Sequence, residues 1–128
     1  MHPFRLAVQN RDISSIEGML APDVKLYSPI PFRPFEGTDT VLGVLHGLSA
    51  VTEELEYTEE FTNDDAVALI SKVRIGGRDG EALQLLRFNS DGKITSITDM
   101  LRPQSAVQVL IDAMKAHLAG AADGHSDE

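Results

Sequence analysis

The sequence predicts an α+β fold in which helices gather on one face of a strongly curved, mainly antiparallel sheet. Three observations support this class. The first half carries helical spacing of apolar residues in three short segments. The second half has the pattern of a four-stranded meander, and a closing helix follows it. Helices on the concave side of a curved sheet enclose a cavity, which is where small-molecule sites tend to lie.

The N-terminal segment predicts two short helices and a strand. Pro3 opens the first helix, and Asp12 suits the N-cap of the second. One side of the second helix is apolar, through Ile13, Ile16, Met19 and Leu20. Residues 21–23 end this helix, and a strand follows over 24–28.

Residues 29–37 form a proline-rich loop before the third helix. Its prolines remove backbone donors and fix φ, which predicts an ordered, extended loop. Phe32 and Phe35 are too apolar to leave in water, so we expect them to fold over the cavity. Thr38 then opens the third helix, whose apolar stripe is Val41, Val44, Leu45 and Leu48.

Four strands make up the second half. The first alternates Leu55, Tyr57, Glu59 and Phe61 with polar residues, which predicts a half-exposed strand. The second, over 66–75, is apolar on both faces until its last residues. The third, over 81–89, and the fourth, over 93–101, flank a polar turn that contains Asp91-Gly92, which indicates a hairpin.

The closing helix has a regular apolar stripe, formed by Val107, Leu110, Ile111, Met114 and Leu118. Beyond it the residues are small or charged, with nothing to bury. We therefore expect a single domain over 1–118 and a disordered C-terminal tail over 119–128.

Composition narrows the classes of partner. The net charge of −9 argues against nucleic acid and anionic membranes, because phosphates are bound by Lys and Arg. The chain has no cysteine and no apolar run near the ~20 residues that span a bilayer. It shows no phosphate-binding loop and no metal-ligand spacing, so we expect no metal and no cofactor. The expected location is cytoplasmic.

Three motifs carry a resemblance to a known family. They are Leu20-Ala21-Pro22-Asp23-Val24, Ser28-Pro29 leading to Phe35-Glu36-Gly37, and the segment from Arg87 to Ile94. In this order and spacing the chain resembles the SnoaL-like branch of the nuclear transport factor 2-like superfamily, over about 3–118. The resemblance implies a cone-shaped α+β barrel (the cystatin-like fold) with an internal pocket. It leaves the activity open, because the superfamily includes isomerases, cyclases, dehydratases, epoxide hydrolases and non-catalytic binders.

Two positions carry the family's catalytic residues. In SnoaL-like cyclases the strand after Gly-Lys-Ile holds a catalytic aspartate, and Asp99 stands at the matching place. The residue two positions earlier, commonly histidine in those enzymes, is Ile97 here. In ketosteroid isomerases the general base precedes the proline that ends the first strand, and that position is Ser28 here.

Asp99 is the candidate for chemistry from the residues as well. Strand alternation places it on the face of Ile97, and a two-residue turn at 91–92 puts Gln84 opposite it. An acid in an apolar pocket has a raised pKa, which suits acid–base catalysis near neutral pH. The alternative is that Asp99 lies at the rim of the sheet and pairs with Arg102 or another arginine. The residues expected to line the pocket are Tyr27, Phe32, Phe35, Tyr57, Gln84, Leu86, Phe88 and Ile97.

Three functions stay open at this point. The first is proton transfer by Asp99 on a small apolar substrate, as in an isomerase, cyclase or hydratase. The second is non-catalytic binding of an apolar ligand, and the third is a dimeric interaction module. A homodimer is expected in any case, because an apolar patch faces away from the helices. This patch consists of Leu83, Leu85, Ile94, Thr98 and Met100.

Overall fold

The structure is a computed structural model that describes the backbone of residues 1–126 and the side chains of residues 1–120. It confirms the predicted α+β class. The elements in chain order are α1 (Pro3–Gln9), a 3₁₀ helix (Ile13–Met19), β1 (Leu20–Tyr27), β2 (Phe35–Glu36), α2 (Thr38–Val51), β3 (Thr52–Thr62), β4 (Ala66–Ile75), β5 (Arg78–Phe88), β6 (Ile94–Arg102) and α3 (Gln104–Ser126).

All six strands form one curved sheet, in the order β2-β1-β6-β5-β4-β3. Every pairing is antiparallel except that of β1 with β6. The core lies between the helices and the sheet. Phe4 of α1, Ile16 of the 3₁₀ helix and Val41 of α2 are fully buried against Leu26 and Leu86 of the strands. The helices thus cover one face of the sheet, as the sequence predicts.

The N-terminal elements differ in detail from the expected ones. α1 begins at Pro3, and the His2 ring nitrogen accepts a hydrogen bond from the Phe4 amide. The second helix is a 3₁₀ helix, and the Asp12 side chain makes no capping hydrogen bond. Leu20, predicted as helical, is the first residue of β1, because it pairs with Ile94 of β6.

A β-bulge in β3 changes which side chains face the helices. Tyr57 pairs with Ser71, but Glu59 pairs with Ile70, so Thr58 is an extra residue. An extra residue shifts the alternation by one. The prediction is therefore wrong beyond Tyr57: Glu60 is half-buried on the inner side, and Phe61 is exposed.

The β5–β6 hairpin has the predicted register over most of its length. Gln84 pairs with Asp99, and Leu86 pairs with Ile97. The loop is longer than the predicted two-residue turn, since Phe88 pairs with Ile94, and an irregularity beside Phe88 absorbs the difference. Ile94 is fully buried as a result, so its predicted place on the outer patch is wrong.

α3 extends to Ser126, so the backbone is helical over part of the segment predicted to be a disordered tail. Alanine has the highest helix propensity, and residues 119, 121 and 122 of this segment are alanines. Side chains 115–120 are all exposed, and residues 127–128 lie outside the described residues. Within the part of the chain that the structure describes, no helix is long and apolar enough to cross a membrane.

Candidate functional site

A cavity of about 120 Å³ lies between the helices and the inner face of β3–β6. Its wall is mainly apolar, with contributions from Leu45, Leu55, Val73 and Leu110. The polar side chains in the wall are Gln9, Arg11, Ser49, Thr52, Ser71, Gln84 and Asp99. A protein cavity of about 150 Å³ holds benzene, and drug-sized pockets start near 300 Å³. The cavity therefore suits a molecule of about one ring.

Asp99 projects from β6 into this cavity. Part of its surface is still accessible, but its carboxyl group is enclosed by protein atoms. This desolvation raises the pKa of Asp99 to about 7, and a hydrogen bond from the Gln84 side chain opposes the rise. Neutral acid and carboxylate are therefore both well populated near pH 7. Such a group can donate a proton or accept one.

Gln84 connects Asp99 to Tyr57. The Tyr57 hydroxyl donates to Oε1 of Gln84 at 2.6 Å, which leaves the amide nitrogen of Gln84 to donate to the Asp99 carboxyl. Burial, and then the charge of Asp99, raise the pKa of Tyr57. Tyr57 is therefore a neutral hydrogen-bond donor at physiological pH. It acts on Asp99 through Gln84, since it does not itself line the cavity.

An ion pair lies behind Tyr57. The Arg5 guanidinium is 5.3 Å from the centroid of the Tyr57 ring, and its Nη1 is 3.3 Å from Oε1 of Glu60. Both charged side chains are mostly buried, at 16% and 18% exposure. No sequence pattern indicates this pair, because Glu60 reaches the inner side only through the bulge in β3.

Ser71 is another polar residue at the site that the sequence analysis did not predict. Its exposure is 1%, it lines the cavity, and its hydroxyl has no hydrogen-bond partner among the residues that the structure describes. An unpaired buried hydroxyl costs about 1–3 kcal/mol. The signal in the sequence was a lone serine after the apolar run 66–70 of β4.

The cavity brings together only two of the predicted site residues, Gln84 and Asp99. Leu86 and Ile97 share their face of the sheet but are fully buried in the core beside the cavity. Phe88 is half-buried, with its ring centroid 5.1 Å from that of His2. These residues support the wall without lining it.

The aromatic residues near the proline-rich loop lie elsewhere, and their predicted place over the cavity is wrong. Phe32 is fully exposed, Tyr27 is 37% exposed, and Phe35 packs against the core from β2. β2 pairs with β1 at the far edge of the sheet, which draws this loop away from β5 and β6. Pro29 is the residue of the loop that lines the cavity.

Neither arginine near the site neutralises Asp99. Arg102 pairs with Glu81 at 3.4 Å, so the alternative of an Asp99–Arg102 pair is wrong. Arg11 lines the cavity, but its guanidinium donates to the backbone oxygens of Ser49 and Thr52. Among the described residues there is no group of three or more His, Cys, Asp or Glu side chains that could hold a metal ion.

Comparison with known proteins gives matches at the level of structure. No protein-family model matches the sequence, and no curated protein matches it. A steroid delta-isomerase from Pseudomonas aeruginosa has a TM-score of 0.90 at 28% identity, over 94% of this chain and 89% of that chain. An uncharacterised protein with a cystatin-like fold from Silicibacter pomeroyi has a TM-score of 0.86 at 29% identity, over 96% of this chain and 90% of that chain.

More distant neighbours share the fold. An NTF2-like protein of unknown function from Mesorhizobium loti has a TM-score of 0.71 at 15% identity, over 78% of this chain and 85% of that chain. The curved sheet with helices on its inner face is the cystatin-like architecture of these proteins. These neighbours support the nuclear transport factor 2-like superfamily that the sequence predicts. Membership of the SnoaL-like branch stays a prediction.

Proposed function

We propose that this protein catalyses proton transfer on a small, largely apolar molecule bound in the cavity, with Asp99 as the acid and base. The reaction would be of the isomerase, cyclase or hydratase type. The observation that carries the proposal is a carboxyl group enclosed in an apolar cavity, with its pKa raised to about 7. General acid–base catalysis is most effective when the pKa of the catalytic group lies near the working pH.

Each protonation state of Asp99 has a role in such a reaction. The neutral acid donates a hydrogen bond or a proton to a carbonyl or leaving oxygen, and the carboxylate removes a proton from carbon. The Gln84 amide, oriented by Tyr57, holds the carboxyl group in place. Burial of the Asp99 carboxyl removes it from bulk water, which strengthens these interactions.

A steroid delta-isomerase at 28% identity supports the isomerase type of reaction. Two features argue against a steroid as the substrate of this chain. Ser28, at the position that matches the isomerase base, lies outside the cavity, and its hydroxyl accepts from the Ile30 amide at 3.2 Å. A cavity of about 120 Å³ is also too small for a four-ring molecule. We therefore propose a substrate of about one ring.

A double-bond migration tests this proposal. The probe is 3-cyclohexen-1-one, which becomes 2-cyclohexen-1-one when a proton leaves C2 and a proton is added at C4. Absorbance of the conjugated product reports the rate. Wild-type protein should accelerate the reaction, and Asp99→Asn should lower the rate at least about 100-fold. The matched control is Asp91→Asn, an exposed aspartate in the β5–β6 loop, which should react like wild type. No acceleration by wild-type protein, or full activity in Asp99→Asn, would contradict the proposal.

Non-catalytic binding is the second candidate. It is favoured by one observation: Asp99 is the one carboxylate in the cavity wall, and the wall includes no histidine. Binding of the cyclohexenone without turnover would select this candidate. The third hypothesis, a module whose cavity is filled by side chains, has less support because the cavity is open.

We also propose that the protein is a homodimer formed through the outer face of β5 and β6. Alternation places Leu83 and Leu85 opposite to Gln84, and both are half-buried. Met100 on β6 is 56% exposed beside them, since it pairs with Leu83. An apolar patch of this kind marks an interface more often than a free surface. A two-fold axis through it would cover the patch of both copies.

A further inference from the structure

Ser71 makes the cavity more polar than its apolar wall suggests. Its side chain is 1% exposed, and no group within the described part of the chain forms a hydrogen bond with its hydroxyl. Its cross-strand neighbours are Tyr57 on β3 and Ala82 on β5. The Tyr57 hydroxyl is engaged with Gln84, and Ala82 has no polar side-chain atom. An alanine at position 71 would occupy the same place without burying a hydroxyl.

Buried hydroxyl groups in folded proteins are almost always hydrogen-bonded. Since the described residues supply no partner for the Ser71 hydroxyl, we infer that its partner is a molecule in the cavity. We propose that Ser71 is a specificity-determining residue that hydrogen-bonds a second polar group of the bound molecule. The ligand is then a small ring or short chain with oxygen or nitrogen functions at both ends, one at Asp99 and one at Ser71. This inference rests on the binding site of the proposed function.

The strand register gives the separation of the two polar ends. Ser71 lies opposite Ala82, and Asp99 lies opposite Gln84, two residues further along β5. Ser71 and Asp99 are thus two strand spacings apart across the sheet, about 10 Å, and two residues apart along it, about 7 Å, which gives about 12 Å on the diagonal. The small side chain of Ala82, which also lines the cavity, leaves room between them. A molecule lying over Ala82 can reach both residues.

Two probes of similar size distinguish binding at Asp99 alone from binding at both Asp99 and Ser71. Cyclohexanone has one carbonyl oxygen, and 1,4-cyclohexanedione has two at opposite ends of the ring. Affinities are measured by NMR titration at pH 6 for wild type and Ser71→Ala. We expect the dione to bind wild type more tightly than cyclohexanone does. Ser71→Ala should lower the affinity for the dione about fivefold, because one hydrogen bond is lost. It should change the affinity for cyclohexanone less than about twofold. The matched control is Ser96→Ala on β6, outside the cavity, which should change neither affinity.

Three results would overturn the inference. In the first, Ser71→Ala weakens the binding of both probes equally. In the second, it does not weaken the binding of the dione, as expected if an ordered water is the partner of Ser71; in the third, wild type binds the dione no more tightly than cyclohexanone. If Ser71→Ala does not fold, wild type decides: an NOE between the dione and the Ser71 β-protons supports the inference, and its absence overturns it. These measurements need no turnover, so selective loss of dione binding stands even if the cyclohexenone test shows no catalysis.

Discussion

The Tyr57 hydroxyl donates to Oε1 of Gln84 at 2.6 Å, and this bond determines how Gln84 faces Asp99. A glutamine amide has one accepting and one donating end. With the oxygen engaged by Tyr57, the nitrogen is directed to the carboxyl group on the neighbouring strand. The protonation of Asp99 is therefore linked to Tyr57, a residue three strands away in the sheet and outside the cavity wall.

Removal of this bond should be measurable. Tyr57→Phe leaves Oε1 of Gln84 without its donor and frees the amide to turn, so Asp99 loses an oriented hydrogen bond that lowers its pKa. We expect the pKa of Asp99 to rise above about 7, and the free energy of unfolding to fall by about 1–3 kcal/mol. NMR titration of the carboxyl carbon and urea denaturation measure the two effects. Tyr27→Phe, at an exposed tyrosine, is the matched control and should change neither. An unchanged Asp99 pKa in Tyr57→Phe would show that Gln84 is held by other contacts.

The Arg5–Glu60 pair should contribute more to stability than an exposed pair of better geometry. Glu60→Gln leaves a mostly buried guanidinium without its counter-charge, which we expect to cost about 1–3 kcal/mol. The control is the Arg74–Asp79 pair, shorter at 2.9 Å but 41% and 84% exposed. Asp79→Asn should cost less than about 1 kcal/mol. Urea denaturation of both variants checks this, and an equal loss would mean that burial does not decide the contribution of these pairs.

The sequence predicted the centre of the site better than its surroundings. Asp99 lies opposite Gln84 as predicted, because strand alternation has a fixed period and the long hairpin loop is compensated by an irregularity beside Phe88. Arg5 and Glu60 could not be predicted to meet, because a single extra residue in β3 turns Glu60 inward. Phe32 was predicted over the cavity from its hydrophobicity alone, but its position depends on which sheet edge the loop follows. The bulge and the path of the loop depend on contacts between elements that are distant in the sequence, and local sequence patterns carry no information about these contacts.

The proposed homodimer predicts a specific response to a charge on the outer face. Met100→Glu places a carboxylate in the centre of the apolar patch, where burial without a partner is costly. Wild type should have the mass of a dimer by light scattering at micromolar concentration, and Met100→Glu should be a monomer with its fold intact by circular dichroism. Phe32→Glu, at an exposed residue of the loop between β1 and β2, should stay dimeric. A monomeric wild type would contradict the proposed interface.

Residues beyond Leu118 should be dispensable for stability. Side chains 115–120 of α3 are exposed, so this part of the helix buries little apolar surface against the domain. Truncation after Leu118 should leave the melting temperature nearly unchanged. Truncation after Ile111 is the control, since it removes Met114, which packs against the core beside Leu110, and should lower the melting temperature by several degrees. A drop of several degrees on the shorter deletion would show that the tail docks on the domain.

Asp99 should make the protein less stable as pH rises through the weakly acidic range. The ordinary pKa of 3.8 applies in the unfolded chain, whereas burial raises the pKa to about 7 in the folded state. Below both values the acid is neutral in both states and contributes nothing. Between them the folded state binds a proton that the unfolded state has lost, so the free energy of unfolding falls as pH rises, by up to about 1.4 kcal/mol per pH unit. Above about pH 7 Asp99 is ionised in both states, and the loss in the free energy of unfolding no longer changes with pH.

Asp99→Asn removes this titration and keeps the shape of the side chain. We expect the variant to match wild type near pH 4 and to exceed it in stability at pH 8, because an amide does not ionise on unfolding. Urea denaturation of both proteins at pH 4, 6 and 8 gives the difference in their free energies of unfolding. The contributions of the other titrating groups are common to both proteins and cancel in this difference. Asp91→Asn, at an exposed aspartate, should follow wild type at every pH. Parallel curves for wild type and Asp99→Asn would mean that the folded and unfolded states ionise Asp99 alike, and the acid–base role proposed for it would then lose its physical basis.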